Sequence, residues 1–404
     1  MLTCLALIAL LAPDTDWAQW RGPNRDGLSP DTGLLKQWPA GGPALAWKAT
    51  GLGESFSSVS IAGSRLFTLG DVGGSSSLIA LNAADGKQLW TLKFGESGGK
   101  RNPGTRSTPS TDGTLVFAIG QGGELVCAEA ETGKLRWQKS LEKDFGGQRP
   151  TWWWSESPLL DGDHVVCTPG GSKGTVLALK KATGETVWQS AGLKDPAHYT
   201  SIVPVEIGAV RQYIVLTGAS VSGIAAKDGR LLWRVARDGS RAVASAPLYK
   251  DGFVFVASGY GVGCNAYKVT GEGGTFNAAE AYSGKQLQNH HGGMILLGDH
   301  VYGLDDRSGM KCIELKTGKE VWSNPSVGKG SIAYADGHFV LRGEKEKQGE
   351  IALVEATPAG YKEKSRFSLP DPAGQPTWAH PVVFGGRLYL RNQGVLHCYD
   401  VKAK

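Results

Sequence analysis

The chain is expected to fold as an all-β, eight-bladed β-propeller built from four-stranded antiparallel blades. Three observations predict it. The first is the stretch Glu156–Ser190, in which four short apolar segments (Pro158–Leu160, His164–Thr168, Thr175–Leu179 and Glu185–Gln189) alternate with the turn pairs Asp161-Gly162, Gly170-Gly171 and Thr183-Gly184. Short runs rich in β-branched residues and punctuated by glycine read as strands joined by tight hairpins. The second is a motif of small residue, polar turn, Gly, three residues and Trp. It recurs at Ala80–Trp90, Cys127–Trp137, Ala178–Trp188, Gly223–Trp233 and Cys312–Trp322, always with the same Gly-to-Trp spacing. A period of roughly 40–50 residues with four strands in each is the signature of propeller blades. The third is that the two ends complement each other. Gly42–Thr50 (GPALAWKAT) reads as an outer strand with its Trp47 but no strands before it, whereas His380–Val401 reads as three strands without a fourth. Pairing them closes the ring and removes two exposed sheet edges.

In chain order, residues 1–18 read as a signal peptide. Leu2–Ala12 is a short apolar run at the extreme N-terminus, too short to span a bilayer, with cleavage expected after Ala12 or Ala18. Residues 19–41 form an N-terminal arm, which Trp17 and Trp20 are expected to pack against the propeller; Arg21 and Arg25 are expected to take surface or capping roles, with ligand contact the alternative. Residues 42–404 form the propeller. Whole blade units run over Ser57–Phe94, Arg106–Leu141, Glu156–Ser190, Thr200–Ala236 and His291–Ser326, with degenerate units at Ala244–Tyr282, which lacks the Trp, and Gly330–Phe367, which carries Tyr361 after an altered turn. Each blade Trp is expected to stack between neighbouring blades with its indole N–H on a backbone carbonyl.

Bulk composition narrows the function classes. The 404 residues include 58 glycines, which suits many tight turns. Charged residues are 20% and the net charge is +5 without long Lys/Arg runs, so nucleic-acid binding has weak support. Beyond the leader, Cys127, Cys167, Cys264, Cys312 and Cys398 remain, an odd number. Cys127, Cys312 and Cys398 occupy the small-residue position of the motif, which makes them buried hydrophobes rather than disulfide partners. No haem-attachment, zinc, serine-hydrolase or phosphate-loop motif is present.

Blade geometry says where chemistry can sit. Links from each outer strand to the next inner strand return to the axis on one face, so residues just before the inner strands ring the channel mouth. These are Phe56, Ser57, Arg101, Arg106, Trp152–Glu156, His198, Tyr199, Arg241, Asn289–Gly293, Trp378 and His380. From this ring the candidate binding residues are Arg106, Trp152, Trp154, Glu156, Tyr199, Asn289, His290, His291 and His380. Three successive Trp (Trp152–Trp154) cannot all face one core, so at least one should reach the mouth. His290 and His291 should point to opposite sides if the segment is extended. Arg106 offers a carboxylate or phosphate a bidentate partner, or forms a local salt bridge.

The repeated motif resembles the tryptophan-docking repeat of pyrroloquinoline-quinone-type propellers, over Gly42 to about Val401. With WAQWRGPNRDG and NHHGGM, the chain is also similar to stand-alone exported propellers of planctomycete-type bacteria. The resemblance implies one of two kinds of function: quinoprotein alcohol dehydrogenases carrying the quinone and Ca²⁺ on the axis, or non-catalytic scaffolds such as the outer-membrane assembly lipoprotein of the Bam complex. The enzyme branch implies an adjacent Cys-Cys pair, absent here, and Glu, Asn and Asp at the metal, roles in which only Glu156 and Asn289 can be cast. The expectation is therefore a non-catalytic exported scaffold of the periplasm or cell envelope without a cofactor. It would act as a monomer on an unidentified envelope protein or small ligand. A quinone- and Ca²⁺-dependent oxidoreductase and a glycan- or small-molecule-binding propeller are the alternatives.

Overall fold

A computed structural model describes residues 16–98, 102–272, 274–344, 349–370 and 375–404. Eight four-stranded antiparallel sheets stand around one axis. Blade 1 runs through Ser60–Ala62, Arg65–Val72, Ser75–Asn82 and Gln88–Glu96 from the axis outward, and blades 2 to 7 repeat that order. Blade 8 is assembled from both ends. Val382–Phe384, Arg387–Asn392 and Val395–Asp400 supply its inner three strands, and Ala44–Ala49 its outer one. Trp47 lies opposite Cys398, and Lys48 opposite His397, so the ring closes as the sequence predicts.

The core consists of eight interfaces between neighbouring blades rather than one central mass. Phe67, Leu69, Leu78 and Ala80 of blade 1, for instance, pack on Val116, Ala118, Val126 and Ala128 of blade 2. Strand alternation produces this, since side chains leave a sheet on both faces and each face meets a neighbour. The closing interface joins Trp47, Leu396 and Cys398 of blade 8 to Ile61, Leu66 and Ile79 of blade 1.

The recurring motif is the device that joins them. Its small residue lies directly opposite the Trp on the adjacent strand: Ala80 opposite Trp90, Cys127 opposite Trp137, Ala178 opposite Trp188. Its Gly receives the Trp of the preceding blade. Gly133 has φ +72°, and a Cβ there would sit 2.6 Å from the Trp90 ring. Gly86, Gly184 and Gly229 receive Trp47, Trp137 and Trp188 in the same way. The indole N–H groups then donate to the next blade, Trp47 to Ala83 O (3.1 Å), Trp90 to Ala130 O (3.2 Å), Trp137 to Lys181 O (2.8 Å) and Trp188 to Ala226 O (3.1 Å).

Three copies depart from this rule. Trp322 has no acceptor for its indole N–H among the described residues and lies edge-on to Tyr361 of the next blade. Trp233 donates within its own blade, to Gln212 Oε1. The blade it faces carries the long ladder Gly263–Glu272 with Thr275–Gly284 instead of a motif turn. In that blade Tyr282 takes the place of the missing Trp. Its ring lies on Gly318, and its hydroxyl donates to Leu315 O at 2.7 Å.

The N-terminal arm enters the channel from the end opposite the mouth. Trp17 is 1% exposed in the blade 8–blade 1 interface. Of the surface or capping roles that the sequence suggests for Arg21 and Arg25, the structure shows the second: both are buried and cap backbone carbonyls. Arg25 donates to Ser157 O (2.8 Å) and Pro158 O (2.9 Å), and Arg21 to Met294 O. The arm then crosses blades 7 and 8, where Leu34 N donates to Asp336 and Gly386 N to Asp31, before becoming the outer strand of blade 8. Among the described residues no helix is long and apolar enough to cross a membrane. The signal-peptide reading falls on residues that are, apart from 16–18, outside those described.

Candidate functional site

The channel mouth opens into a pocket of about 410 Å³, within the usual range for small-molecule sites. Its floor is Trp20 of the arm, with the Arg21 and Arg25 guanidiniums 5.6 and 5.8 Å from the Trp20 ring. Its walls come from the links that precede the inner strands, as blade geometry dictates: Phe56, Arg106, Trp152, Tyr199, Arg241, His290, His291, Trp378 and His380. Three further residues were not read as site residues in the sequence. Tyr260 lies on the turn between the second and third strands of blade 5, and Lys329 directly precedes the inner strand of blade 7. Glu344, at the end of blade 7's second strand, stands behind the wall and holds it in place.

The three consecutive tryptophans separate. Trp153 adopts φ 69°, a left-handed turn conformation, and the chain reverses around it. Trp152 therefore faces the pocket, with its backbone N–H donating to the Tyr199 hydroxyl at 3.1 Å. Trp153 lies under Arg149, whose guanidinium is 4.6 Å from the ring. Trp154 turns into the interface between blades 2 and 3 beside Phe117 and Ile119, so it is core and not a mouth residue.

Two more candidates lie behind the wall. Glu156 is 1% exposed and accepts from Thr168 N. Burial raises its carboxyl to about 7, although the Thr168 bonds and Arg25 oppose the rise. Asn289 is buried between Ser245, Gly293 O and Leu304 O, where its amide satisfies backbone groups. Arg101 lies outside the described residues.

His290 and His291 do not point to opposite sides. The segment bends at residues 290–292, and both rings line the pocket with centroids 4.7 Å apart. Their partners fix their protons. The Lys329 ammonium donates to His290 Nδ1 at 3.1 Å, so the neutral ring carries its proton on Nε2. Burial, followed by the charges of His291 and Lys329, depresses His290 to about 2. His291 Nε2 donates to Glu344 Oε2 at 3.2 Å. Burial alone would raise Glu344, but His291, Lys329 and the Trp378 indole N–H outweigh it and hold the carboxylate at about 2. His380 Nε2 donates to His291 O at 2.9 Å, and burial with Arg21 nearby lowers that ring to about 3. Near neutral pH, His290 and His380 are uncharged.

Positive charge comes from elsewhere. Arg106 donates to Asn102 O (2.7 Å), Gly104 O (3.2 Å) and Gln121 Oε1 (3.3 Å), all neutral acceptors, and its guanidinium lies 5.5 Å from the Phe56 ring. Burial lowers it to about 10, with Asp71 and Tyr199 opposing, so it stays charged. No ion pair forms at Arg106 among the described residues.

The donor set decides how well the quinone–calcium alternative fits. Glu156 and Asn289 belong to blades 3 and 6, and both are turned away from the pocket onto backbone groups. Among the described residues no group of three or more His, Cys, Asp or Glu is arranged to hold a metal, and the five cysteines are free and buried. These residues do not fit that group.

A profile of the family described as outer membrane protein assembly factor BamB matches residues 74–324. The BamB of Xanthomonas campestris pv. campestris is 26% identical over 195 residues, 47% of this chain and 43% of that protein. The chain thus spans under half the length of that curated relative. Among solved structures, BamB from Moraxella catarrhalis superposes with a TM-score of 0.62 at 15% identity, covering 86% of this chain and 95% of that one. A quinohemoprotein alcohol dehydrogenase from Comamonas testosteroni gives 0.66 at 12% identity, covering 98% and 82%. At such identities the two superpositions speak for the fold alone.

Proposed function

The chain belongs to the BamB family of propellers, and on that premise we propose that it is a non-catalytic, exported scaffold of the cell envelope that binds a small ligand in its axial pocket. The observation that carries this reading is the pocket itself. It is closed underneath by Trp20, walled by Phe56, Trp152, Tyr199 and Trp378, and open at one end only, on a rigid ring. Loops held by such a frame present binding groups without disturbing it. Support for a scaffold without quinone or calcium comes from Glu156, whose Oε1 accepts from Thr168 N, and Asn289, whose amide donates to Gly293 O and Leu304 O. Support for action as a single chain comes from the closure of blade 8, which leaves no incomplete sheet to be finished by a second copy.

The test is native mass spectrometry of the folded protein after incubation with the small-molecule fraction of its own envelope. The wild type should gain a discrete mass. Ala244→Trp, which places an indole in the pocket wall, should not gain it. Equal gains by both proteins, or none by the wild type, would overturn the reading.

A further inference from the structure

We propose that the axial pocket is a binding site for an anionic saccharide, a sugar ring carrying a carboxylate or a phosphate. This inference rests on the reading of the pocket as the ligand site and specifies what enters it.

Charge is the first argument. Arg106, Arg241 and Lys329 reach the pocket from blades 2, 5 and 7, while none of the described lining residues is Asp or Glu. Lys329 is partly neutralised by Glu344 at 3.0 Å behind the wall. Arg106 has only neutral acceptors, and Arg241 has no hydrogen-bond or ion-pair partner among the described residues. The half-buried Arg106 guanidinium against the Phe56 ring is costly to hold until an anion meets it, while Arg241 is exposed and free to turn to one.

Hydroxyl chemistry is the second. Ser58, Ser155, Ser157 and Ser201 line the pocket, the first two already donating to His380 O (2.8 Å) and Trp153 O (3.2 Å). Ser157 Oγ accepts from Thr108 N, and Ser201 Oγ accepts from Ser157 N, so both hydroxyl protons remain to be donated. His290 adds an Nε2 proton. The wall is rich in donors and short of carboxylates, the groups that would take the paired hydroxyl protons of a neutral sugar. A ligand with its own anionic oxygens supplies what the wall lacks.

Shape is the third. Phe56 and Trp378 stack on one another with centroids 4.3 Å apart and planes 29° apart, an apolar wall beside Arg106. The C–H face of a pyranose ring packs on an aromatic wall of this kind while its hydroxyl rim faces the serines.

The experiment is isothermal titration of the full chain, at low salt, with glucuronate, glucose 6-phosphate, glucose and inorganic phosphate. Both sugar acids should bind, with glucose and inorganic phosphate each at least about tenfold weaker, since one lacks the charge and the other the ring. Which acid binds more tightly identifies the anionic group. Arg241→Gln alters an exposed side chain, should keep the wild-type melting temperature, and should weaken both acids about tenfold. Arg106→Gln should do at least as much. Trp378→Ala should weaken the sugars and leave inorganic phosphate unchanged. Glucose binding as tightly as glucuronate, inorganic phosphate binding as tightly as glucose 6-phosphate, or indifference of the acids to both arginine changes would overturn the proposal. If none of the four binds while an envelope molecule still occupies the wild type and not Ala244→Trp, the ligand class is wrong and the pocket reading stands. If neither occurs, both fall.

Discussion

Replacing Gly133 with alanine isolates the energy of docking one blade on the next. Gly133 has φ +72°, and its Cβ would lie 2.6 Å from the Cδ2 and Cε3 atoms of Trp90. Gly113 supplies a matched control, with φ +85° and nothing within 4 Å of its Cβ. Both substitutions force a side chain into the left-handed region, a cost of about 1 kcal/mol after the gain from a stiffer unfolded chain. At Gly113 nothing else changes. At Gly133 the indole, which is flat and rigid, has to lift. It then gives up its bond to Ala130 O, about 1 kcal/mol, and part of its packing, about 1–2 kcal/mol. Gly133→Ala should therefore lose roughly 3–4 kcal/mol and Gly113→Ala roughly 1. Urea unfolding followed by circular dichroism reads both as midpoint shifts at constant slope. The double variant Gly133→Ala/Trp90→Ala should lose clearly less than the two single losses added together, because the second change removes the group the first one displaced. Equal losses at Gly113 and Gly133 would refute the docking argument.

Two further outcomes follow from the buried interior. The folded Glu156 value of about 7 lies above its ordinary 4.5, so between those pH values the native protein holds a proton that the unfolded chain has released. Stability relative to Glu156→Gln is therefore greatest below pH 4.5 and declines by roughly 3 kcal/mol as pH rises through 7. An unchanged gap between the two proteins at pH 4.5 and pH 8 would show that Glu156 does not titrate this way. If the chain is exported as proposed and a leader is removed, the mature protein should retain Trp17, because that ring belongs to the closing interface and its carbonyl accepts from Ile61 N at 2.8 Å. N-terminal sequencing that begins at Gln19 would contradict this.

The fold was legible because its code is local and repeated. The motif spacing reports a small residue, a turn glycine and a Trp that meet across one hairpin and one blade boundary, and a period cannot arise at five places by chance packing. The site was legible only as a ring of positions. Arg106, Trp152, Tyr199, His290, His291 and His380 reach the pocket, but Trp154, Glu156 and Asn289, taken from the same links, do not. Links lack the two-residue alternation that tells in from out along a strand. A single left-handed residue, Trp153, decides the direction of its neighbours. Lys329 obeys the entry rule and could have been found by applying it to blade 7. Tyr260 and Glu344 required the complementary rule, that turns between second and third strands open on the same face.

The arm escaped the sequence for a different reason, and that reason explains why the pocket has a floor. Inner strands pair on one side only, so their other edge presents unpaired N–H and C=O groups to the channel. The arm satisfies them blade by blade without forming a strand of its own. Trp17 O accepts from Ile61 N, Ala18 O from Thr111 N and Gln19 Oε1 from Leu160 N, while Gly27 O accepts from Tyr334 N. Arg25 and Arg21 donate to carbonyls of blades 3 and 6. Groups arranged radially cannot be met by an element with a two- or 3.6-residue period, so the arm reads as irregular chain with two arginines in surface or capping roles. Once anchored on five blades, it holds Trp20 in place beneath the mouth before any ligand arrives. A floor fixed in advance removes an ordering cost from binding, and the arm is thereby as much a part of the site as the residues on its walls.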